Sequence, residues 1–309
     1  MNQIVGLLLS YFATLSVVVG SQLVAFERGT SIWIANIDGS NARKIAEGSG
    51  PDLSPDGSRV VFNTDDSSSN EVVREIAIAD LATKKVTVIN GIPSKNCQRA
   101  LWSPNGKQIL FTIWNGNDWD IALISPDGSA FRYVRKSQPR DPEKKGIPKP
   151  DPVWSTAWAM DGNSFFTQDL DYLYRFNLEG SEVKKWKLDS LFPAGGMNSG
   201  SRITSSPDGK SLLVEVDMDE EVKDMPDWDG PPPALWTFDL ESAKTTRLTK
   251  KGVLAASGCW LDNQRILFNL FSAKEKKPAI YQMEIGKKEM KPLIKDGVNP
   301  SVSRASGGG

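Results

Sequence analysis

The chain has 309 residues, 39% of them hydrophobic and 24% charged, the balance of a globular protein with a sizeable core. With 37 basic and 38 acidic residues there is no global field to attract nucleic acid, and no local phosphate-tracking patch stands out. The two cysteines lack metal-like spacing, which excludes a zinc module or a disulfide scaffold; the absence of histidine removes the usual general base, the Ser-His and Cys-His nucleophiles and the commonest transition-metal ligand.

The first 26 residues carry no charged side chain, and Ile4 to Gly20 form an apolar run ending in small residues. Residues 1–20 therefore read as a secretory signal peptide, with an uncleaved membrane anchor as the alternative. A periplasmic or secreted protein is expected, and membrane contact only if the leader is retained. No lipobox-type cysteine follows.

Next comes an internal repeat: "SPDGSRVVF" at 54, "SPNGKQILF" at 103, "AMDGNSFFT" at 159, "SPDGKSLLV" at 206 and "WLDNQRILF" at 260. Successive copies are 49, 56, 47 and 54 residues apart, a period that points to propellers or solenoids. A second family of segments alternates with the turns: "IWIANI" at 32, "IAIADL" at 76, "IALISP" at 121, "LYRFNL" at 173, "LWTFDL" at 235 and "IYQMEI" at 280. These short apolar, β-branched and aromatic runs, bounded by Gly, Pro, Asp and Asn, carry the strand signature. Outer strands such as "KVTVI" at 85 and "TTRLT" at 245 complete four per unit.

Six hexads against five turn units are reconciled at the ends. "NPSVS" at 299 matches "GPDLS" at 50, and "LVAF" at 23 matches "RVVF" at 59, so the two ends each supply part of one blade. The expected fold is all-β, a six-bladed β-propeller of four-stranded antiparallel blades over 21–306, closed by N- and C-terminal strands sharing one blade. Closure of this kind removes free sheet edges. Residues 307–309 are a glycine tail.

The repeated turn has a backbone reason. Pro55 fixes φ, Asp56 bonds back to the local chain and Gly57 takes a positive-φ position, as Asn105 and Gly106, Asp161 and Gly162, and Asp208 and Gly209 do in later copies. In the last copy, Asp262 precedes Asn263, and asparagine is the next most tolerant residue of left-handed backbone. Asn105 can serve the turn but cannot act as a carboxylate base, so these positions read as structural rather than catalytic.

With those residues in view, the repeats resemble the TolB-like β-propeller family, whose mark is an apolar or aromatic residue followed by Ser-Pro-Asp-Gly and a short apolar strand. Leu53 to Gly57, Trp102 to Gly106 and Ser205 to Gly209 carry the match, with degenerate copies at Trp158 to Gly162 and Cys259 to Asn263. The resemblance implies a six-bladed propeller and, through TolB itself, a periplasmic scaffold in envelope integrity or protein import. The same repeat occurs in propellers attached to prolyl-oligopeptidase-like hydrolases, so activity does not follow from it. TolB proteins carry an α/β domain before the propeller, whereas here the repeats follow the leader directly.

In a four-stranded blade every long connection of this chain falls on one face: those beginning near residues 64, 137, 189 and 217. That face is where binding residues are expected. Residues 217–229 hold seven acids, among them Asp219, Glu220 and Asp227, with Trp228 beside them. They read as a solvated loop, as a partner-binding loop anchored by Trp228 or, last, as oxygen ligands for calcium, although the spacing fits no EF-hand loop. The proline-rich loop carries Lys144 and Lys145. At the channel, Arg99, Arg202 and Thr204, with Gln98 and Ser257 nearby, read as candidates for holding a carboxylate or as residues satisfying channel water. Cys97 and Cys259 fall in the third and sixth blades, too far apart for a disulfide.

The leading expectation is a non-catalytic exported propeller that binds a protein or cell-envelope component through its long-loop face, without cofactor, metal or nucleic acid. The alternative is a glycan-active lyase or hydrolase, or a small-ligand-binding propeller, using channel-mouth arginines and carboxylates. No nucleophile elbow is present to support a peptidase.

Overall fold

Each repeat folds into one twisted antiparallel sheet, and six such sheets form a six-bladed β-propeller. The computed structural model describes residues 22–65, 72–138, 151, 153–222, 228–272 and 277–303. The leader and the glycine tail lie outside them.

The second blade shows the pattern: Ser49–Leu53 innermost, then Arg59–Asn63, Ile76–Asp80 and Val86–Val88 at the rim. The third begins at Cys97–Trp102, the fourth at Trp154–Trp158 and the sixth at Leu254–Trp260. The fifth departs from it, because two short strands, Gly195–Gly196 and Ile203–Ser205, share the inner position beside Ser211–Met218. In the first blade the C-terminal strand Val298–Val302 is innermost and pairs antiparallel with Leu23–Arg28, so the ends close the ring as the sequence predicts.

The core lies between blades. Ile32 and Ile34 of the first blade pack with Val60, Phe62 and Ala77 of the second, and Val61 and Ile78 of the second with Phe111 of the third. Second strands supply many of the buried rings, among them Phe26, Phe62, Phe111 and Phe268, all under 2% exposed. Outermost strands are mostly solvated, as Val86–Val88 shows.

At the repeated turn Gly57, Gly106, Gly162 and Gly209 have φ of 70°, 68°, 69° and 71°, where a Cβ would be strained. Asp56 accepts from Ser58 N at 3.1 Å and from the Ser54 hydroxyl, and Asn105 accepts equivalently from Lys107 N and Ser103. The last copy corrects one expectation. Its turn is a residue shorter, closing from Leu261 N to Arg265 O, and Asn263 is not in left-handed backbone. Instead Asn263 Oδ1 accepts from Asp208 N of the fifth blade at 3.0 Å, so it ties neighbouring turns together.

Candidate functional site at the channel mouth

Inner strands open toward the long-loop face through a feature that recurs four residues before each turn. There Gly50, Arg99, Ser155, Ser257 and Asn299 all have positive φ, between 53° and 62°, and each sits at a register shift in its strand pair. These are β-bulges, and four of the five hold a non-glycine residue in left-handed backbone at a cost of about 1 kcal/mol each. In the fifth blade Arg202 occupies the equivalent place, and the chain between Gly196 and Ile203 replaces the bulge.

A ring of polar side chains near the ends of the second strands holds the bulges. Glu27 Oε1 accepts from Gly50 N at 2.6 Å, Glu215 Oε2 from Ser257 N at 2.6 Å and Asn269 Oδ1 from Asn299 N at 3.0 Å, each reaching the next blade. Asn63 Nδ2 donates to Cys97 O at 3.0 Å, and Gln168 Nε2 to Asn198 O at 2.9 Å. Thr112, the sixth member, bonds Gln98 O within its own blade at 3.2 Å. Deeper, Trp158 Nε1 donates to Leu101 O at 3.0 Å and Trp260 Nε1 to Thr204 O at 3.1 Å, so these tryptophans join neighbouring blades.

Inside these rings lies a cavity of about 1000 Å³, lined by inner-strand residues of all six blades and by Asp65 and Val72 to Arg74 of a long connection. Among the described residues three carboxylates line it, and each is committed to the fold. Glu27 also accepts from Asn299 Nδ2 at 2.9 Å; Asp52 accepts from Trp102 N and from the Ser301 hydroxyl, both at 2.8 Å; Asp65 accepts from Ser49 Oγ at 2.8 Å and pairs with Arg74 Nε at 3.3 Å.

The predicted channel arginines are brought together. Arg99 extends past the fourth blade and donates to Gly200 O at 2.8 Å, Ser199 O at 3.1 Å and Ser201 O at 3.3 Å, which fixes the segment carrying Arg202. Arg202 makes one long bond, 3.4 Å to Ser257 O. Glu215 stands behind this wall. Burial pushes its pKa above the ordinary value and Asp217 adds to that, against the Ser257 hydrogen bond and the pull of Arg99 and Arg202. Sequence reasoning missed Glu215. Its signal was a polar residue at one register position in every blade: Glu27, Asn63, Thr112, Gln168, Glu215 and Asn269.

A pH dependence follows with a definite sign. A carboxyl whose folded pKa is raised above its ordinary 4.5 contributes stability that is complete below that value and lost as pH rises through the folded pKa. Glu215→Gln keeps an acceptor for Ser257 N and does not titrate. Its denaturant midpoint should therefore gain on wild type from pH 4.5 upward; parallel curves over that range would contradict the burial of Glu215.

The other predicted residues are dispersed. Glu220 turns inward: its side chain is 4% exposed, pairs with Arg247 at 2.6 and 2.9 Å and accepts from Gly252 N at 3.0 Å, and Arg247 holds its carboxyl below the usual range. Asp219 is exposed beside it. Trp228 is half-buried against Phe271, ring centroids 6.0 Å apart. Asp227, Lys144 and Lys145 lie outside the described residues. Cys97 and Cys259 sit within their inner strands as free, buried thiols, both pushed up to about 12 by burial, so neither is a poised nucleophile. Among the described residues no cluster of three or more Cys, Asp or Glu could hold a metal ion.

No family model matches the sequence, and comparison with curated proteins gives no match. Solved structures do. The chain is similar to TolB from Acinetobacter baumannii, with a TM-score of 0.64 and 16% identity over 92% of this chain and 67% of that one. Its structural neighbours are TolB-like and other six-bladed propellers. A structure of the nidogen/laminin complex matches with a TM-score of 0.61 and 10% identity, covering 91% of this chain and 98% of that one. An oligogalacturonate lyase in complex with manganese matches at 0.51 and 15% identity, covering 86% and 74%. At these identities the likeness shows the fold alone.

Proposed function

We propose that the protein is a non-catalytic, exported propeller that binds a protein or cell-envelope component through its long-loop face, in the manner of a TolB-like scaffold. The supporting observation is what that face displays. Val72, 55% exposed at the cavity rim, and Leu170, 44% exposed between the second and third strands of the fourth blade, are large apolar side chains left to solvent there. Meanwhile the acids lining the cavity are occupied in holding the backbone. The likeness to TolB and to a protein from the nidogen/laminin complex favours protein binding.

The test is capture from envelope extract with wild type and with V72D/L170N, asparagine being tolerated at Leu170, whose φ is 73°. The double variant should lose at least nine-tenths of a saturable partner at an unchanged melting temperature. Retention of the same partner set removes this face from consideration.

A second reading, a glycan-active enzyme, is favoured by Glu215 and Asp217. They lie two residues apart on one face of Ser211–Met218, hence about 6.6 Å apart along the strand, and burial raises both pKa values. Polysaccharide cleavage lost in both E215Q and D217N would establish it in place of the first.

A further inference from the structure

Arg202 is a cation of the cavity with donors to spare. A guanidinium carries five N–H donors, and this one has a single long bond, to Ser257 O at 3.4 Å. Arg99, by contrast, is spent on three carbonyls and acts as a strut beneath the segment that carries Arg202. A second polar group lines the same cavity: Thr156, in the inner strand of the fourth blade, is 3% exposed, and its Oγ1 has no hydrogen-bond partner. A buried hydroxyl without a partner costs about 1–3 kcal/mol, so the position calls for a ligand or ordered water. Gln98 lines the same wall from the third blade.

We infer that the cavity is a carboxylate-binding site, in which Arg202 holds the carboxylate through its guanidinium fork and Thr156 donates a hydroxyl hydrogen bond to it. The wall selects the class of anion. Arg74 in the wall is paired with Asp65, Arg99 is spent on carbonyls, and Glu27, Asp52 and Asp65 line the same cavity, so a singly charged carboxylate is compensated while a doubly charged phosphate or sulfate meets repulsion. Trp158 and Trp260 in the wall supply apolar surface for the body of the ligand, and the volume of about 1000 Å³ admits more than the carboxylate alone. The same chemistry is available from a small organic acid or from an aspartate side chain that a docked protein inserts into the channel. The site is separated from the docking proposal by L170N alone, because Leu170 does not line the cavity.

Tryptophan fluorescence and calorimetry on the full chain report binding, with acetate, lactate, glucuronate and a blocked neutral peptide bearing one aspartate as probes. Saturable binding of at least one probe is expected. R202Q should weaken it at least tenfold, about 1.4 kcal/mol, T156V should weaken it several-fold, and R202K should fall between wild type and R202Q. Far-UV dichroism and the melting temperature report folding, and R202K and T156V decide the matter if R202Q does not fold. Binding of the free acids assigns the site to a small molecule; binding of the peptide alone assigns it to a protein partner. No saturable probe, affinity unchanged by all three substitutions, or sulfate competing as well as the carboxylates overturns the inference.

Discussion

Deleting residues 298–303 should leave a chain without a cooperative unfolding transition at 25 °C. That segment contributes the innermost strand of the first blade, pairing with Leu23–Arg28. Its loss uncovers Val24 and Phe26, both 0% exposed, and removes Val302 from the cluster they share. It also cuts ties beyond its own blade. Ser301 Oγ accepts from Leu53 N at 3.0 Å and donates to Asp52 at 2.8 Å, and Asn299 N donates to Asn269 Oδ1 at 3.0 Å. Each large side chain returned to water forfeits about 2 kcal/mol, and the opened ring gains an unpaired sheet edge. Together these losses are of the order of the whole folding stability, about 5–15 kcal/mol. A circular permutant separates strand from terminus: joining Ser303 to Gln22 and opening the chain at the exposed Thr83 turn preserves every strand pair and should melt near wild type. A truncated protein that melts cooperatively would show that the ring does not depend on its closing strand.

Arg247→Ala should cost about 3 kcal/mol in chemical denaturation, more than any other single change at the long loops. Glu220 has its side chain 4% exposed, and Arg247 supplies two of its three donors. Removing the cation leaves a carboxylate in a place from which water is largely excluded, and breaking a buried pair from one side typically costs about 3–5 kcal/mol. Arg247 retains 21% side-chain exposure, which places the expectation at the low end. The double variant E220Q/R247M should recover most of the loss, because no lone charge remains. A cycle in which the two changes simply add would mean that the pair is not coupled.

The repeat was legible because each blade must reverse direction after its inner strand, and the reversal demands the same few residues each time. Strand spans, blade number and the shared first blade followed from local pattern. Asn263 shows where local pattern fails: a one-residue deletion keeps the motif's look while changing the turn's hydrogen bonds, so the residue in the glycine's place is not in the glycine's conformation. The bulges were illegible for a related reason, since Arg99, Ser155, Ser257 and Asn299 are not residues that announce left-handed backbone. The N–H partners of Ser257 and Asn299 come from the preceding blade, 42 and 30 residues away, from Glu215 and Asn269. Glu220 misleads in the same way. Among seven acids it reads as solvated, and only the arrival of Arg247 from the outer strand turns it inward.

The amino-acid sequence alone determined the six blades, their closure and the face that carries the long connections, because periodicity and turn chemistry are properties of neighbours along the chain. Only the tertiary structure decided which charges are used up and which are left over. Arg99 and Arg202 look equivalent in the repeat, yet one meets three carbonyls and the other a single long one, a difference set by how the fifth blade's split inner strand lies against the third across the channel.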